Sequence, residues 1–221
     1  MEVSITVPAS RPYKQVLQFK IALIGTDIWR RVQVPESYTF FDLHVAIQNS
    51  MGWQDSHLHC FEVKNSLNKK VRIECPWTEP IDGFDEEEFE YDTEVLLKEY
   101  LSLKNKKFSY EYDFGDSWHH QITLEKILEK EKDVKYPQCL DGALSCPPED
   151  CGGTSGYFNC IEAIKVAKRM GINVKKRFDD SIYEIGGVDA ELLLWLDGWL
   201  PDRFDPKKVK FQSPRKRFME S

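Results

Sequence analysis

Hydrophobic and polar residues alternate with a period of two over positions 17–23: Leu17, Phe19, Ile21 and Leu23 fall on one side, and Gln18, Lys20 and Ala22 on the other. This is the pattern of a strand with one buried face. Gly25 to Asp27 supplies a turn. Ile28, Arg30, Val32 and Val34 then share one face of a second strand that Pro35 ends, so the two segments predict a hairpin. The period changes next. Phe40, Leu43, Ile47 and Met51 recur at helical spacing, with Thr39 and Asp42 as a capping box and Gly52 as the stop. Beyond it His57, His59, Phe61 and Val63 occupy one face of a third strand, and a polar turn at 65–70 leads into a short strand at 71–73.

A further hairpin carries the clearest alternation in the chain. Phe108, Tyr110, Tyr112 and Phe114 lie on one strand, Gly115 and Asp116 turn, and Trp118, His120, Ile122 and Leu124 alternate on the return. A helix is expected at 93–101, capped by Asp92 or Thr93. Residues 136–156 are dense in Pro, Gly and Cys and predict a long ordered or metal-held loop. Phe158, Ile161, Ile164 and Ala167 mark one side of an amphipathic helix that stops at Gly171, and Asp189 opens another apolar helix. The expected class is α+β: a β-grasp-like hairpin-helix-hairpin core, extended by a second, aromatic-rich β-hairpin, with C-terminal helices. One domain is expected over 15–205, between a flexible N-terminus at 1–14 and a basic C-terminal tail at 206–221.

With 41% hydrophobic residues in 221, the chain can fill a packed core. No stretch approaches the ~20 apolar residues of a membrane span and no signal peptide is evident, so a cytoplasmic protein without a membrane partner is expected, the nucleus being the alternative. A net charge of −7 and a pI near 5.4 disfavour non-specific DNA binding. In a reducing compartment the six cysteines are expected as thiols or metal ligands. The acidic run from Asp85 to Glu90 predicts an exposed loop with which Arg30 and Arg31 pair.

Two groups carry candidate chemistry. Cys139, Cys146 and Cys151, with His59 as fourth ligand, would form a closed structural Zn²⁺ site pinning the loop, since thiolate and imidazole are the ligands zinc prefers. The alternative is that these cysteines are small buried apolar residues. Asp113, Asp116 and His120 at the hairpin tip, with Glu149 and Asp150, can bind a divalent cation or act as acid and base, while Trp118 would contact a partner. The alternative is turn chemistry at Gly115 and Asp116 with Trp118 in the core. Gly152 and Gly153 ahead of a helix read as a structural cap, because Glu149 and Asp150 would repel an anion. Walker, dinucleotide-binding, zinc-protease and serine-hydrolase motifs are absent.

The runs Tyr112 to His120, Tyr136 to Gly142 and Cys146 to Tyr157, with Trp29 to Arg31 and Asp55 to Phe61, resemble the signature blocks of the plasmid Ri open-reading-frame-three-like family, which also carries a transposon-passenger label. The resemblance implies a compact α+β domain linked to mobile elements, without an assigned activity. The expected function is a non-catalytic binding or interaction module, metal-stabilised, for a protein or nucleic-acid partner. The alternatives are a metal-dependent hydrolase or nuclease using Asp113, Asp116, Glu149, Asp150 and a histidine, and a DNA-associated accessory factor.

Overall fold

In the computed structural model, which describes residues 10–77, 89–171 and 184–220, the first two period-two segments form β1 (Gln15–Leu23) and β2 (Trp29–Pro35), paired antiparallel. Helix α1 (Phe40–Met51) begins at the expected capping box. Asp42 N donates to Thr39 Oγ1 (3.2 Å), and Thr39 N donates to Asp42 Oδ2 (3.0 Å). It ends at Gly52, whose φ of 93° is the left-handed conformation that a residue without Cβ adopts freely. Strands β3 (His59–Lys64), β4 (Lys70–Glu74) and β5 (Phe89–Tyr91) follow, then a single turn α2 (Leu97–Tyr100). Next come the aromatic hairpin, β6 (Lys107–Tyr112) and β7 (Trp118–Glu129), and then β8 (Gln138–Ala143) and α3 (Gly153–Arg169). A two-residue pairing of β9 (Glu184–Ile185) with β10 (Val188–Asp189) precedes α4 (Ala190–Trp195), and α5 (Pro214–Glu220) closes the described chain.

Eight strands make one sheet in the order β5-β4-β3-β6-β7-β1-β2-β8, antiparallel throughout except where β5 joins β4. The architecture is therefore mixed α+β, but the expected β-grasp-like core with the aromatic hairpin as an extension is arranged differently. Hairpins β1–β2 and β3–β4 do not pair with each other. The aromatic hairpin stands between them at the centre of the sheet. Its large rings account for this place, since Phe108, Tyr110, Tyr112 and Trp118 bury most apolar surface where α1 covers the sheet. Phe19, Ile21, Val32, Phe61, Ile73 and Leu124 line the same face against Phe40, Leu43 and Ile47 of α1. The opposite face is polar, as in an antiparallel sheet covered on one side, and is laced by Gln18 bonding to Glu125 and Gln33 bonding to Gln18.

Several local expectations change in three dimensions. The Cys-rich segment expected as loop contains β8, which satisfies the edge of β2. The helix expected over 93–101 shrinks to α2, and neither Asp92 nor Thr93 caps it. Of the acidic run, 85–88 lie outside the described residues, and so does the expected pairing of that loop with Arg30 and Arg31. Arg31 bonds Glu125 on the polar sheet face (2.7 Å). Arg30 is buried, donates to the carbonyls of Ser50, Trp29 and Ala143 and stacks on Phe204. Residues 206–220, expected as a tail, dock: Gln212 N donates to Asn49 Oδ1 (2.9 Å), and Phe218 packs edge-on against Phe41. Along α3 the buried stripe is Tyr157, Cys160, Ile164 and Ala167, leaving Phe158 exposed. Cys160, Ile164 and Ala167 of this stripe form a second, smaller core with Leu193 of α4, while Tyr157 packs in the main one.

Candidate functional site

Three connections converge at one end of the central hairpin: residues 52–58 between α1 and β3, the β6–β7 turn at 113–117, and residues 144–152 ahead of α3. Tyr112 holds them together. Its hydroxyl accepts from Ser56 N (3.0 Å) and donates to Glu149, whose other oxygen accepts from Gln54 N (2.8 Å). Trp53 Nε1 adds a bond to Pro147 O (3.1 Å).

On the open side of this junction, His57 Nε2 lies 2.8 Å from Asp150 Oδ1 and 3.6 Å from Asp113 Oδ2. Asp113 and Asp150 both occupy left-handed backbone (φ 57° and 56°), a conformation that Asp tolerates better than most residues. The other Asp113 oxygen accepts from Gly115 N and Asp116 N, which orients the carboxylate and leaves Oδ2 facing the histidine. Exposure is graded, with side-chain values of 10% for Asp113, 30% for His57 and 67% for Asp150. The group is thus anchored on one side and open to solvent on the other.

Asp55 (φ 67°) turns the same connection inward, so residues two apart serve different groups. Its carboxylate accepts from His44 Nε2 (2.7 Å), and Tyr110 OH donates to His44 Nδ1 (2.8 Å). The two contacts define the tautomer, with the proton on Nε2. Burial lowers the His44 pKa, and burial keeps the Tyr110 hydroxyl protonated by raising its pKa. Burial also pushes the Asp55 carboxyl up, but His44, His59 and Arg217 together pull it down to about 2. His59 stacks on His44, with centroids 3.5 Å apart and planes 7° from parallel, and its Nε2 reaches Asp92 Oδ2 at 2.7 Å.

The sequence-predicted residues divide accordingly. Asp113 and Asp150 meet, with Glu149 beside them on Tyr112, and the histidine that joins them is His57 rather than His120. His120 is fully buried with Nδ1 on Trp118 O, and Trp118 is itself core, so neither is placed to meet a partner. Asp116 Oδ2 accepts from Gly152 N (3.1 Å), so the anion at the glycine-rich start of α3 is the protein's own carboxylate. Gly153 there has φ 66°, and a Cβ would come within 2.7 Å of Asp116 O. Gly153→Ala is accordingly expected to lower stability by about 1–3 kcal/mol in urea denaturation. A loss below about 0.5 kcal/mol would show that this junction yields easily.

The cysteine set with His59 is not gathered. Among the described residues, the groups of three His, Cys, Asp or Glu side chains with ligating atoms within 4.8 Å of one another are His57, Asp113, Asp150 and His44, Asp55, His59, neither containing a cysteine. Cys139 lies on β8, Cys146 is buried near Arg30, Cys151 sits beside Cys160, and His59 is taken by Asp92. Burial raises the Cys146 thiol and pushes Cys151 up to about 12, so both are held as neutral thiols. His57 was expected on the strand face of His59, but β3 begins only at His59, and His57 precedes it on the turned connection. His44 and Asp55 carried no expected chemistry, and Asp92 was expected only as a helix cap. A signal for His44 existed, because it stands on the apolar stripe of α1 between Phe40 and Ile47.

An α+β domain with a half-open carboxylate–imidazole group beside a buried one defines this protein. The chain belongs to the plasmid pRiA4b ORF-3-like protein family, whose model matches residues 15–211. It is 33% identical over 151 residues, spanning 67% of this chain and 73% of the relative, to the uncharacterized protein y4hQ of Sinorhizobium fredii. It is also similar to the crystal structure of a protein of unknown function, MM3350 from Methanosarcina mazei Go1. That match has a TM-score of 0.73 and 36% identity, covering 90% of this chain and 100% of the other. Among the described residues no helix is long and apolar enough to cross a membrane.

Proposed function

We propose that the protein is a binding module that engages its partner through a divalent cation held by His57, Asp113 and Asp150. What supports this is the convergence of one imidazole and two carboxylates from three separate connections, with ligating atoms within 4.8 Å of one another and Asp150 exposed. One nitrogen and two oxygens suit a first-row cation such as Mn²⁺ or Zn²⁺. Three protein ligands leave coordination positions open, and an anionic group of the partner would take them.

Calorimetric titration of chelator-treated protein with Mn²⁺ tests this. Asp150→Asn keeps the left-handed backbone and removes one charged ligand, so Mn²⁺ affinity is expected to fall at least about tenfold with thermal stability unchanged. Equal affinity in wild type and Asp150→Asn would end the proposal. The open positions also favour a second reading, metal-dependent hydrolysis with Glu149 beside the bound water. Turnover of an activated phosphodiester by Mn²⁺-loaded protein, lost in Asp150→Asn, would support it, and cation binding without turnover leaves the binding module.

A further inference from the structure

The buried group beneath the open site has an imbalance that hydrogen bonding does not remove. His44, Asp55, His59 and Asp92 bring two imidazoles and two carboxylates into the interior, and Asp92 is wholly buried. Asp92 Oδ1 has no hydrogen-bond partner among the described residues, and neither does Gln48 Oε1, one bond away through Tyr110. Orphaned buried acceptors are rare and costly, the more so on a carboxylate. Among the described residues the cationic side chain that pairs with the group is Arg217, 3.5 Å from Asp55. Two imidazoles stacked face to face offer no charge to the second carboxylate unless one is protonated.

The geometry points to a buried structural Zn²⁺ site formed by His44, His59, Asp55 and Asp92, separate from the open site. Two neutral imidazoles and two carboxylates form a charge-neutral set around a divalent ion and fill a tetrahedral shell with no open position. His44, Asp55 and His59 already bring ligating atoms within 4.8 Å of one another, and the Asp92 carboxylate on His59 has to move in to join them. A 2.7 Å imidazole–carboxylate contact becomes a separation of about 3.3 Å across an ion bonded at about 2.0–2.1 Å, and one ring turns out of the stack so that both nitrogens aim at the ion. Metal on His44 Nε2 moves its proton to Nδ1, which then donates to Tyr110 OH. The hydroxyl proton in turn reaches Gln48 Oε1 once that amide is flipped, an orientation decided by the network alone. The Asp92 carboxylate thereby exchanges its bond to His59 for a cation that offsets its charge, and Gln48 Oε1 gains Tyr110 as a partner. Asp55 also holds α5 through Arg217, so the ion would tie α1, β3 and the C-terminal helix together.

The test uses full-length Asp113→Asn/Asp150→Asn protein, in which the open site is disabled, purified without chelator or added metal. Elemental analysis is expected to find one zinc per chain, and a chelator strong enough to strip it is expected to lower the melting temperature. In the same background, Asp92→Asn is expected to reduce the content to near zero. Tyr110→Phe, which preserves ring packing but removes the partner of His44 Nδ1, is expected to weaken zinc affinity about 10–100-fold. Metal-free protein that binds no added Zn²⁺ tightly would overturn the site, as would full zinc content in both Asp92→Asn and Tyr110→Phe. Because the open site is absent from this background, failure here leaves the Mn²⁺ titration of wild type unaffected.

Discussion

Trp118→Ala is expected to lower the free energy of unfolding by about 3–5 kcal/mol, the usual cost of emptying a buried aromatic site. The ring is 1% exposed, stands opposite Tyr112 across the central hairpin and packs 5.9 Å from the Trp53 ring at 34°. Collapse into the vacated space is resisted on both sides, by the sheet ladder beneath and by Trp53, which a hydrogen bond to Pro147 O holds in place. Trp118→Phe should recover part of the loss by keeping an aromatic in the cavity. Urea denaturation followed by far-UV circular dichroism measures both, avoiding a fluorescence signal that the substitutions themselves change. A loss under about 1 kcal/mol for the alanine variant would remove Trp118 from the core and return it to the exposed partner contact that the sequence pattern also allowed.

The second large effect is an acid limb of stability arising at His120. The imidazole is wholly buried between Tyr110, Trp53 and Trp118; Nδ1 is 2.9 Å from Trp118 O, and Nε2 has no partner among the described residues. Burial pushes its pKa down to about 3, opposed by backbone hydrogen bonds that favour the charged form and assisted by neighbouring His119. In the unfolded chain the same group binds its proton near the ordinary value of about 6.5. Between these values the unfolded state carries the extra proton, so the contribution is whole above about pH 6.5 and is lost as the pH falls toward 3, up to about 5 kcal/mol in all.

Asp42 acts in the opposite sense over part of this range. Burial raises its carboxyl to about 6, so the native state takes up a proton first and gains stability as the pH falls from about 6 toward 3.8. The clean observable is therefore the difference between wild type and His120→Gln at each pH. That difference should shrink, and then change sign in favour of the variant, as the pH is lowered from 7 to 4. A constant difference across the window would mean that His120 is not buried as a neutral base.

Where hydrogen bonds and side-chain period act between near neighbours, the chain could be read directly. The capping box of Thr39 and Asp42, the stop at Gly52, the Asp189 cap of α4 and the buried alternation of Phe108, Tyr110 and Tyr112 each depend on a few adjacent residues or on alternation along one strand. The carboxylates Asp113 and Asp150 were legible as candidate ligands for the same local reason, since they sit in turn segments that must be exposed or satisfied.

What joins them was decided elsewhere. His57 and His59 are two residues apart and would share a face on any strand. They separate because the connection turns at Asp55 and β3 begins at His59, a boundary set by pairing His59 with Tyr112 across the sheet. His120 and Trp118 alternate correctly but point inward, since α1 covers that side of the central hairpin. The three cysteines lie close in sequence yet scatter because β8 carries Cys139 onto the edge of β2 while Cys151 stands just ahead of α3, beside Cys160. Period and capping determined the first two hairpins, α1 and the aromatic hairpin; the order of strands and the packing of α1 over the aromatic hairpin determined the site, because contacts between residues some ninety positions apart, such as His57 with Asp150, are selected by burial of the whole core and leave no local trace.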